Sequence, residues 1–126
     1  MTQMAALIGA AAFGWLSIFQ LFLAMGFPLG HLAWGGANRV LPRGQRIASL
    51  VSACLALLAL WTISQSAGWG AGPIPTDWIK PLLWAFTGLF GLSILANLFG
   101  AKGAERLHGV PLACLCAGSC LVLALT

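Results

Sequence analysis

The side chains of this chain that can act as acids, bases or metal ligands are few. Glu105 and Asp77 are its two carboxylates, and His31 and His108 are its two histidines. A long apolar run separates the two carboxylates, so they cannot form the pair of acids that general acid–base chemistry needs. We therefore predict no catalytic residue set.

The two histidines raise the question of a haem site, because two imidazoles can ligate one haem iron. However, His31 and His108 fall at or beyond the ends of the apolar runs, whereas membrane b-type haems usually take their ligands from within them. No third or fourth residue completes a metal site either. We expect neither a metal nor any other cofactor.

The cysteines also invite a redox interpretation. They are Cys54, Cys114, Cys116 and Cys120. None lies in a loop and there is no C-x-x-C, so thiol exchange with another protein is disfavoured. Cys116 and Cys120 are four apart on one helix face, like Ala6, Ala10 and Gly14, and small residues at this spacing let helices approach closely. We interpret the cysteines as packing residues.

Composition places the chain in a membrane. Of its 126 residues 60% are apolar and 6% are charged, which leaves too little polar surface for a water-soluble globule. The charged residues fall in three short stretches and divide the rest into four apolar runs, each about long enough to cross a bilayer. The predicted spans are residues 5–27, 47–64, 79–99 and 109–125.

These runs predict an all-α fold: a single transmembrane domain over residues 1–126, built as a polytopic four-helix bundle with up-down-up-down topology. The opening segment has no basic residue and a longer apolar run than a signal peptide, so we expect it to be a true span. Pro81 and Pro111 are predicted in the first turns of the third and fourth helices.

Orientation follows from the basic residues. Five of the six lie in the loops 28–46 and 100–108, which an even number of spans places on one side. The positive-inside rule predicts that these loops are cytoplasmic and that both termini are outside. Small multidrug transporters and fluoride channels often insert both ways and need balanced charge, and the multidrug exporters use a carboxylate in the first span. This chain has neither feature.

Polar side chains gather on the predicted cytoplasmic side, around the glycine-rich loop 26–44. The candidate polar pocket or docking face comprises Gln20, His31, Trp34, Asn38, Arg39, Arg43, Arg46, Asn97, Glu105 and Arg106. A cationic pocket there suits an anionic head group or an acidic partner surface. The alternative is that topology alone places the basic residues in these loops.

Three residues carry further expectations. Glu105 is expected to form an ion pair with Arg43, Arg46 or Arg106. Gln20 and Asn97 are amides at membrane depth, where an unpaired polar group is costly, so we expect them to hold the first and third helices together by hydrogen bonds. In the loop, Gly35 and Gly36 permit backbone angles closed to other residues.

A resemblance rests on the loop motif Gly26-x-Pro28-x-Gly30-x-x-Ala33-Trp34-Gly35-Gly36 with Leu41-Pro42, followed by Arg46-Ile47-x-Ser49, Asn97 and Glu105-Arg106. This pattern resembles that of a family of short four-span bacterial inner-membrane proteins. The resemblance covers most of the chain. It implies four helices and a bacterial inner-membrane location, and because the family has no assigned activity it implies no chemistry.

Three function classes follow. The first is an accessory or assembly subunit that packs against a larger membrane complex or against a second copy of itself. The second is a binder or transporter of a lipid or anionic amphiphile through the cytoplasmic-side pocket. The third is an enzyme that acts on a lipid-soluble substrate through His31 or Glu105. Membrane lipids are expected partners in each class, and nothing indicates nucleic acid. A cavity lined by the polar residues favours the second class, whereas a packed interior favours the first.

Overall fold

A computed structural model describes residues 2–126 and confirms the all-α four-helix fold. The helices are α1 (Thr2–Ala24), α2 (Arg43–Ser66), α3 (Thr76–Gly100) and α4 (Ala104–Leu125). Two single-turn 3-10 helices, Gly30–Leu32 and Trp34–Gly36, lie between α1 and α2. Each of the four long helices is long and apolar enough to cross a membrane, which is the pattern of a multi-pass membrane protein.

All four long helices begin three to five residues earlier in the sequence than the apolar runs suggest. Because polar residues extend α3 and α4 before the apolar segment begins, Pro81 and Pro111 lie inside these helices. The prediction that both prolines occupy first turns is therefore wrong. Helix length in the membrane is limited by the apolar run, but helical hydrogen bonding continues into the polar flanks.

The helices are arranged as two hairpins that share one interface. α1 packs along α2, α3 packs along α4, and the hairpins meet through α1 and α4, whereas α2 and α3 have less contact. The connections 25–42 and 101–103 lie at one end of the bundle, which we name the loop face. The chain ends and the connection 67–75 lie at the other end, the terminal face.

Small and aromatic residues build the core. Phe13 of α1 packs edge-on against Phe90 of α3, with ring centroids 5.0 Å apart. A Cβ added to Gly9 would lie 2.7 Å from Ile63 and 2.8 Å from Ser119, so at this point α1 lies against α2 and α4 with room only for a glycine. These contacts fix the terminal half of the bundle.

The small residues that the sequence suggested as packing residues are not all buried in the core. Cys116 and Cys120 are completely buried in the core, as packing residues should be, whereas Cys54 and Cys114 are exposed on the outer surface of the bundle. Of the proposed seam in α1, Ala6 is buried, but a Cβ on Gly14 would meet open space. The close approach is at Gly9, a residue next to Ala10 that the spacing argument did not name.

In the first hairpin, each helix supplies a hydrogen-bond donor to the carboxyl end of the other. Arg46 of α2 donates from Nε to the carbonyl oxygen of Ala24, the last residue of α1, at 2.9 Å. Gln3 of α1 donates from Nε2 to the carbonyl oxygen of Ala67, the residue that ends α2, at 3.0 Å. The last carbonyls of a helix have no partner within the helix, so both bonds stabilise the carboxyl ends of α1 and α2.

The second hairpin repeats this arrangement. Arg106 of α4 donates to the carbonyl oxygen of Leu98 in the last turn of α3. Lys80 of α3 donates from Nζ to the carbonyl oxygens of Leu123 and Ala124 in the last turn of α4, each at 3.1 Å. A side chain of the partner helix therefore donates to one or two carbonyls at the carboxyl end of each long helix.

This pattern predicts that Arg46 stabilises the fold through its hydrogen bond and not through its charge alone. The variant Arg46→Met should lower the free energy of unfolding by about 1.5–3 kcal/mol, the usual value of a hydrogen bond from a charged group. The measurement is a denaturant titration of the purified protein in detergent, followed by helical circular dichroism.

The matched control is Arg43→Met. Arg43 is exposed at the start of α2, and its side chain makes no hydrogen bond to residues 2–126, so its loss should change stability by less than about 0.5 kcal/mol. Equal losses in the two variants would contradict a specific role for the bond to Ala24.

Candidate functional site

The loop that follows α1 begins with a sharp turn. Gly26 has a φ of +91°, its N–H donates to the carbonyl of Leu23 at 3.1 Å, and the N–H of Phe27 donates to the carbonyl of Phe22 at 3.0 Å. This pair of bonds is the Schellman ending of a helix, which favours glycine because of the positive φ. It directs the chain sideways, over the end of the bundle.

The loop then closes on itself at Gly30. The N–H of Gly30 donates to the carbonyl of Arg39 at 2.8 Å, and a Cβ on Gly30 would overlap the carbonyl oxygen of Asn38. Leu41 is buried against Phe19 and anchors the end of the loop on α1. The two 3-10 helices are thereby held as a cover over the loop face.

Three successive residues with positive φ aim the cover at the bundle. Trp34, Gly35 and Gly36 have φ values of +53°, +84° and +73°, which confirms the special backbone expected of the glycine pair. Trp34 donates from its indole N–H to Oγ of the completely buried Ser49 at 3.0 Å. The N–H of Gly35 donates to Oε1 of Glu105 at 3.2 Å. The cover is thus bonded to both α2 and α4.

Beneath the cover lies a cavity of about 490 Å³ that all four long helices line. Its polar lining side chains are Gln20, Ser52, Ser93, Asn97, Glu105 and His108. On the four long helices its large apolar lining side chains are Leu16, Phe19, Leu55, Leu89, Phe90 and Leu112, and the cover adds Leu32 and Trp34. On α2, α3 and α4 the polar residues lie nearer the loop face than the apolar ones, so the cavity has a polar end at the loop face and an apolar end inside the bundle.

Glu105 lies at the polar end of the cavity, in the first turn of α4, where the helix dipole favours a negative charge. It is 8% exposed, and its Oε1 accepts a hydrogen bond from the N–H of Gly35. The expected ion pair is therefore wrong: Arg46 and Arg106 are bonded to helix carbonyls, and Arg43 is exposed at the start of α2. Arg46 and Arg106 donate to carbonyls at helix ends and not to Glu105.

The two amides do not join α1 to α3, contrary to the prediction. Asn97 donates from Nδ2 to the carbonyl of Ser93 in its own helix at 2.8 Å, and the buried Oε1 of Gln20 has no hydrogen-bond partner in residues 2–126. The reason is the arrangement of the bundle, since α1 and α3 are diagonal and the cavity separates their polar residues. Gly109 of α4 leaves room for the Asn97 amide, which a Cβ there would overlap.

His108 was not among the predicted pocket residues, yet it lines the cavity. Its Nε2 accepts a hydrogen bond from the indole N–H of Trp15 at 2.8 Å, and its ring centroid lies 4.6 Å from that of Phe19. Because an indole can only donate, Nε2 has no proton and the imidazole proton is on Nδ1. The sequence signal for His108 was helical spacing, since it lies three residues after Glu105 on the same face of α4.

The remaining predicted residues lie outside the cavity. His31, Asn38 and Arg39 are exposed on the cover, and Arg106 is exposed on α4. Arg43 and Arg46 line a separate shallow depression of about 390 Å³ with Ala24, Ile47 and Leu50. Of the ten predicted residues, the cavity brings together Gln20, Trp34, Asn97 and Glu105. The expectation of a cationic pocket is therefore wrong, because no lysine or arginine lines the cavity.

Residues 2–126 contain no group of three or more histidine, cysteine, aspartate or glutamate side chains placed to hold a metal ion. Comparisons of the chain with protein-family models, curated proteins and solved structures found no match. The fold defines the class as a bundle of four membrane-length helices. The site is a cavity in that bundle, polar at the loop face and apolar further in.

The contact of Gly30 with the Asn38 carbonyl predicts that the cover is sensitive to one added methyl group. Gly30→Ala should lower the free energy of unfolding by about 1–3 kcal/mol, as overpacking does. The measurement is again unfolding followed by circular dichroism.

Gly44→Ala is the control, because a Cβ at Gly44, near the start of α2, would meet nothing within 4 Å. Alanine is also the better helix former, so this variant should be neutral or stabilised by up to about 1 kcal/mol. If the two variants were equally stable, the close approach at Gly30 would be refuted.

Proposed function

We propose that this protein binds an amphiphilic molecule drawn from the membrane, with the polar end of the ligand at the loop face and its apolar part inside the bundle. The observation that carries this proposal is the order of the lining. Gln20, Asn97 and Glu105 are followed, deeper in the bundle, by leucine and phenylalanine. An amphiphile in a bilayer has the same order of polarity with depth.

The dimensions of the cavity support the same function. A volume of about 490 Å³ lies within the range of about 300–1,000 Å³ that is typical of small-molecule sites. Most of its lining is apolar, with a few polar groups at one end, which is also typical of such sites. A molecule with one short alkyl chain and a compact head group fits this shape.

The packing of the helices supports entry from the bilayer. α2 and α3 have the weakest contact of the neighbouring helix pairs, and residues from both line the cavity, Ser52 and Leu55 on one side and Leu89 and Ser93 on the other. The gap between α2 and α3 therefore leads from the surrounding lipid to the cavity. A ligand that uses this route need not pass the cover.

The unpartnered oxygen of Gln20 gives a further reason for a ligand. A buried polar atom without a hydrogen bond costs about 1–3 kcal/mol. A ligand that donates to this oxygen removes that cost, whereas an apolar filler does not. A bound amphiphile thus fills the apolar part of the cavity and supplies a hydrogen bond to Gln20 in the polar part.

This proposal predicts that blocking the gap abolishes ligand retention. Ala96 lines the cavity on α3, so Ala96→Trp should displace an amphiphile that co-purifies with the wild-type protein. Leu92→Trp is the control, because Leu92 lies one turn away and is 66% exposed on the outer surface. The measurement is gentle purification in detergent or nanodiscs, followed by native mass spectrometry. Retention of the same small molecule by both variants would overturn the proposal.

An accessory or assembly subunit is the second candidate function. It is favoured by the exposure of α3, whose buried residues are Leu83 and Phe86, while Leu92 and Phe99 are exposed. A larger membrane protein can cover this face, although lipid covers it equally well. The same mass spectra distinguish the two functions, since a stoichiometric protein partner without a bound amphiphile supports the subunit. An enzyme acting through His31 is not proposed, because His31 lies on the cover, outside the cavity.

We also propose that the protein lies in a bacterial inner membrane, with the loop face cytoplasmic and both termini outside. The resemblance of the loop motif supports the membrane assignment. The orientation is supported by the basic residues, since Arg39, Arg43, Arg46, Lys102 and Arg106 are at the loop face.

The orientation is tested by thiol labelling of intact cells with a membrane-impermeant maleimide. Ala71→Cys, exposed on the terminal face, should be labelled in intact cells, whereas Asn38→Cys, exposed on the cover, should be labelled only after lysis. The unsubstituted chain reports the background from its own cysteines. Labelling of Asn38→Cys before lysis, with Ala71→Cys protected, would reverse the assignment.

A further inference from the structure

We infer that the polar end of the ligand is a protonated amine that Glu105 binds. This inference rests on the proposed amphiphile binding and specifies the chemical class of the ligand. It differs from the anionic head group that the basic loops suggested, because the charge of the cavity is opposite to the charge of the loops.

The lining of the cavity carries a single negative charge. Glu105 is the one charged side chain among the residues that line the cavity. It is 8% exposed and accepts one hydrogen bond, from Gly35, although a carboxylate has about four acceptor positions. A mostly buried carboxylate is stabilised when it is paired and hydrogen-bonded, so a cation in the cavity would find a partner in Glu105.

The lysine and arginine side chains of the protein lie outside the cavity. Arg46, Lys80 and Arg106 are bonded to the carboxyl ends of helices. Arg39, Arg43 and Lys102 are exposed at the loop face and do not line the cavity. No lysine or arginine of residues 2–126 therefore pairs with Glu105, and its carboxylate is free to pair with a cationic ligand.

Two amide side chains, Gln20 and Asn97, line the cavity together with Glu105. The buried Oε1 of Gln20 has no hydrogen-bond partner within residues 2–126. Asn97 donates from Nδ2 to the carbonyl of Ser93, and its Oδ1, which lies beside Gly109, accepts no hydrogen bond within residues 2–126. Both are acceptors, and a primary ammonium offers three donors and no acceptor. A carboxylate with two amide oxygens suits that head group.

The competing head groups fit less well. A phosphate or carboxylate head would bring a second negative charge beside Glu105, where no lysine or arginine lines the cavity to offset the repulsion. An alcohol would satisfy Gln20 but leave the charge of Glu105 without a partner. An alkylamine satisfies both.

The test compares three probes with the same alkyl chain: decylammonium, decanol and decyl phosphate. Their dissociation constants are measured by calorimetry with the full-length purified protein in nanodiscs, and Ala96→Trp serves as the reference for partition into lipid. Decylammonium should bind about tenfold more tightly than either other probe, the difference expected for a charged hydrogen bond.

Glu105→Gln then isolates the charge, because glutamine keeps the shape and can still accept from Gly35. It should weaken decylammonium binding about tenfold and leave decanol binding unchanged. Asp77→Asn is the matched control, since it removes the same charge from an exposed position on the terminal face and should change neither constant. Helical circular dichroism of each variant confirms folding, and the wild-type probe series decides the question if Glu105→Gln does not fold.

The outcomes separate the two proposals. Equal affinity for all three probes at a site that Ala96→Trp blocks would overturn the amine inference and leave amphiphile binding intact. A preference for decyl phosphate would overturn it in the same way. Absence of any binding that Ala96→Trp blocks would refute the proposed function itself.

Discussion

The carbonyl groups at the carboxyl ends of the helices need hydrogen-bond donors, and the rest of the structure depends on how they obtain them. The last turn of a helix leaves these carbonyls without a partner inside the helix. Arg46 and Gln3 meet the need in the first hairpin, and Arg106 and Lys80 meet it in the second. Each hairpin is thereby closed at both of its ends by side chains of its own two helices.

This closure determines the character of the cavity. Because Arg46 and Arg106 are used on backbone carbonyls, neither reaches Glu105, and the cavity keeps a net negative side chain beneath a positively charged face. Each hairpin is bonded at both ends by its own side chains, and the two hairpins associate mainly through α1 and α4, with less contact between α2 and α3. The same bonds that stabilise the helices thus leave Glu105 without an arginine partner.

Several site features depended on distances that the sequence does not contain. Glu105 was expected beside an arginine, but which acceptor a long side chain reaches depends on the neighbouring helix. Gln20 and Asn97 were expected to meet, but they lie on diagonal helices. His108 was passed over because its position just before the last apolar run resembled a loop, whereas α4 begins at Ala104 and carries it into the cavity wall.

The sequence by itself determined the number of helices, the all-α class and the glycine turn at Gly35 and Gly36, because apolar length and positive φ are local properties. It also determined that Gln20, Trp34, Asn97 and Glu105 lie at one end of the bundle, since alternating spans bring those positions together. Only the tertiary structure decided that Glu105 faces a cavity while the arginines face helix ends. Helix packing order and side-chain reach set these contacts, and neither is encoded in the spacing of residues along one chain.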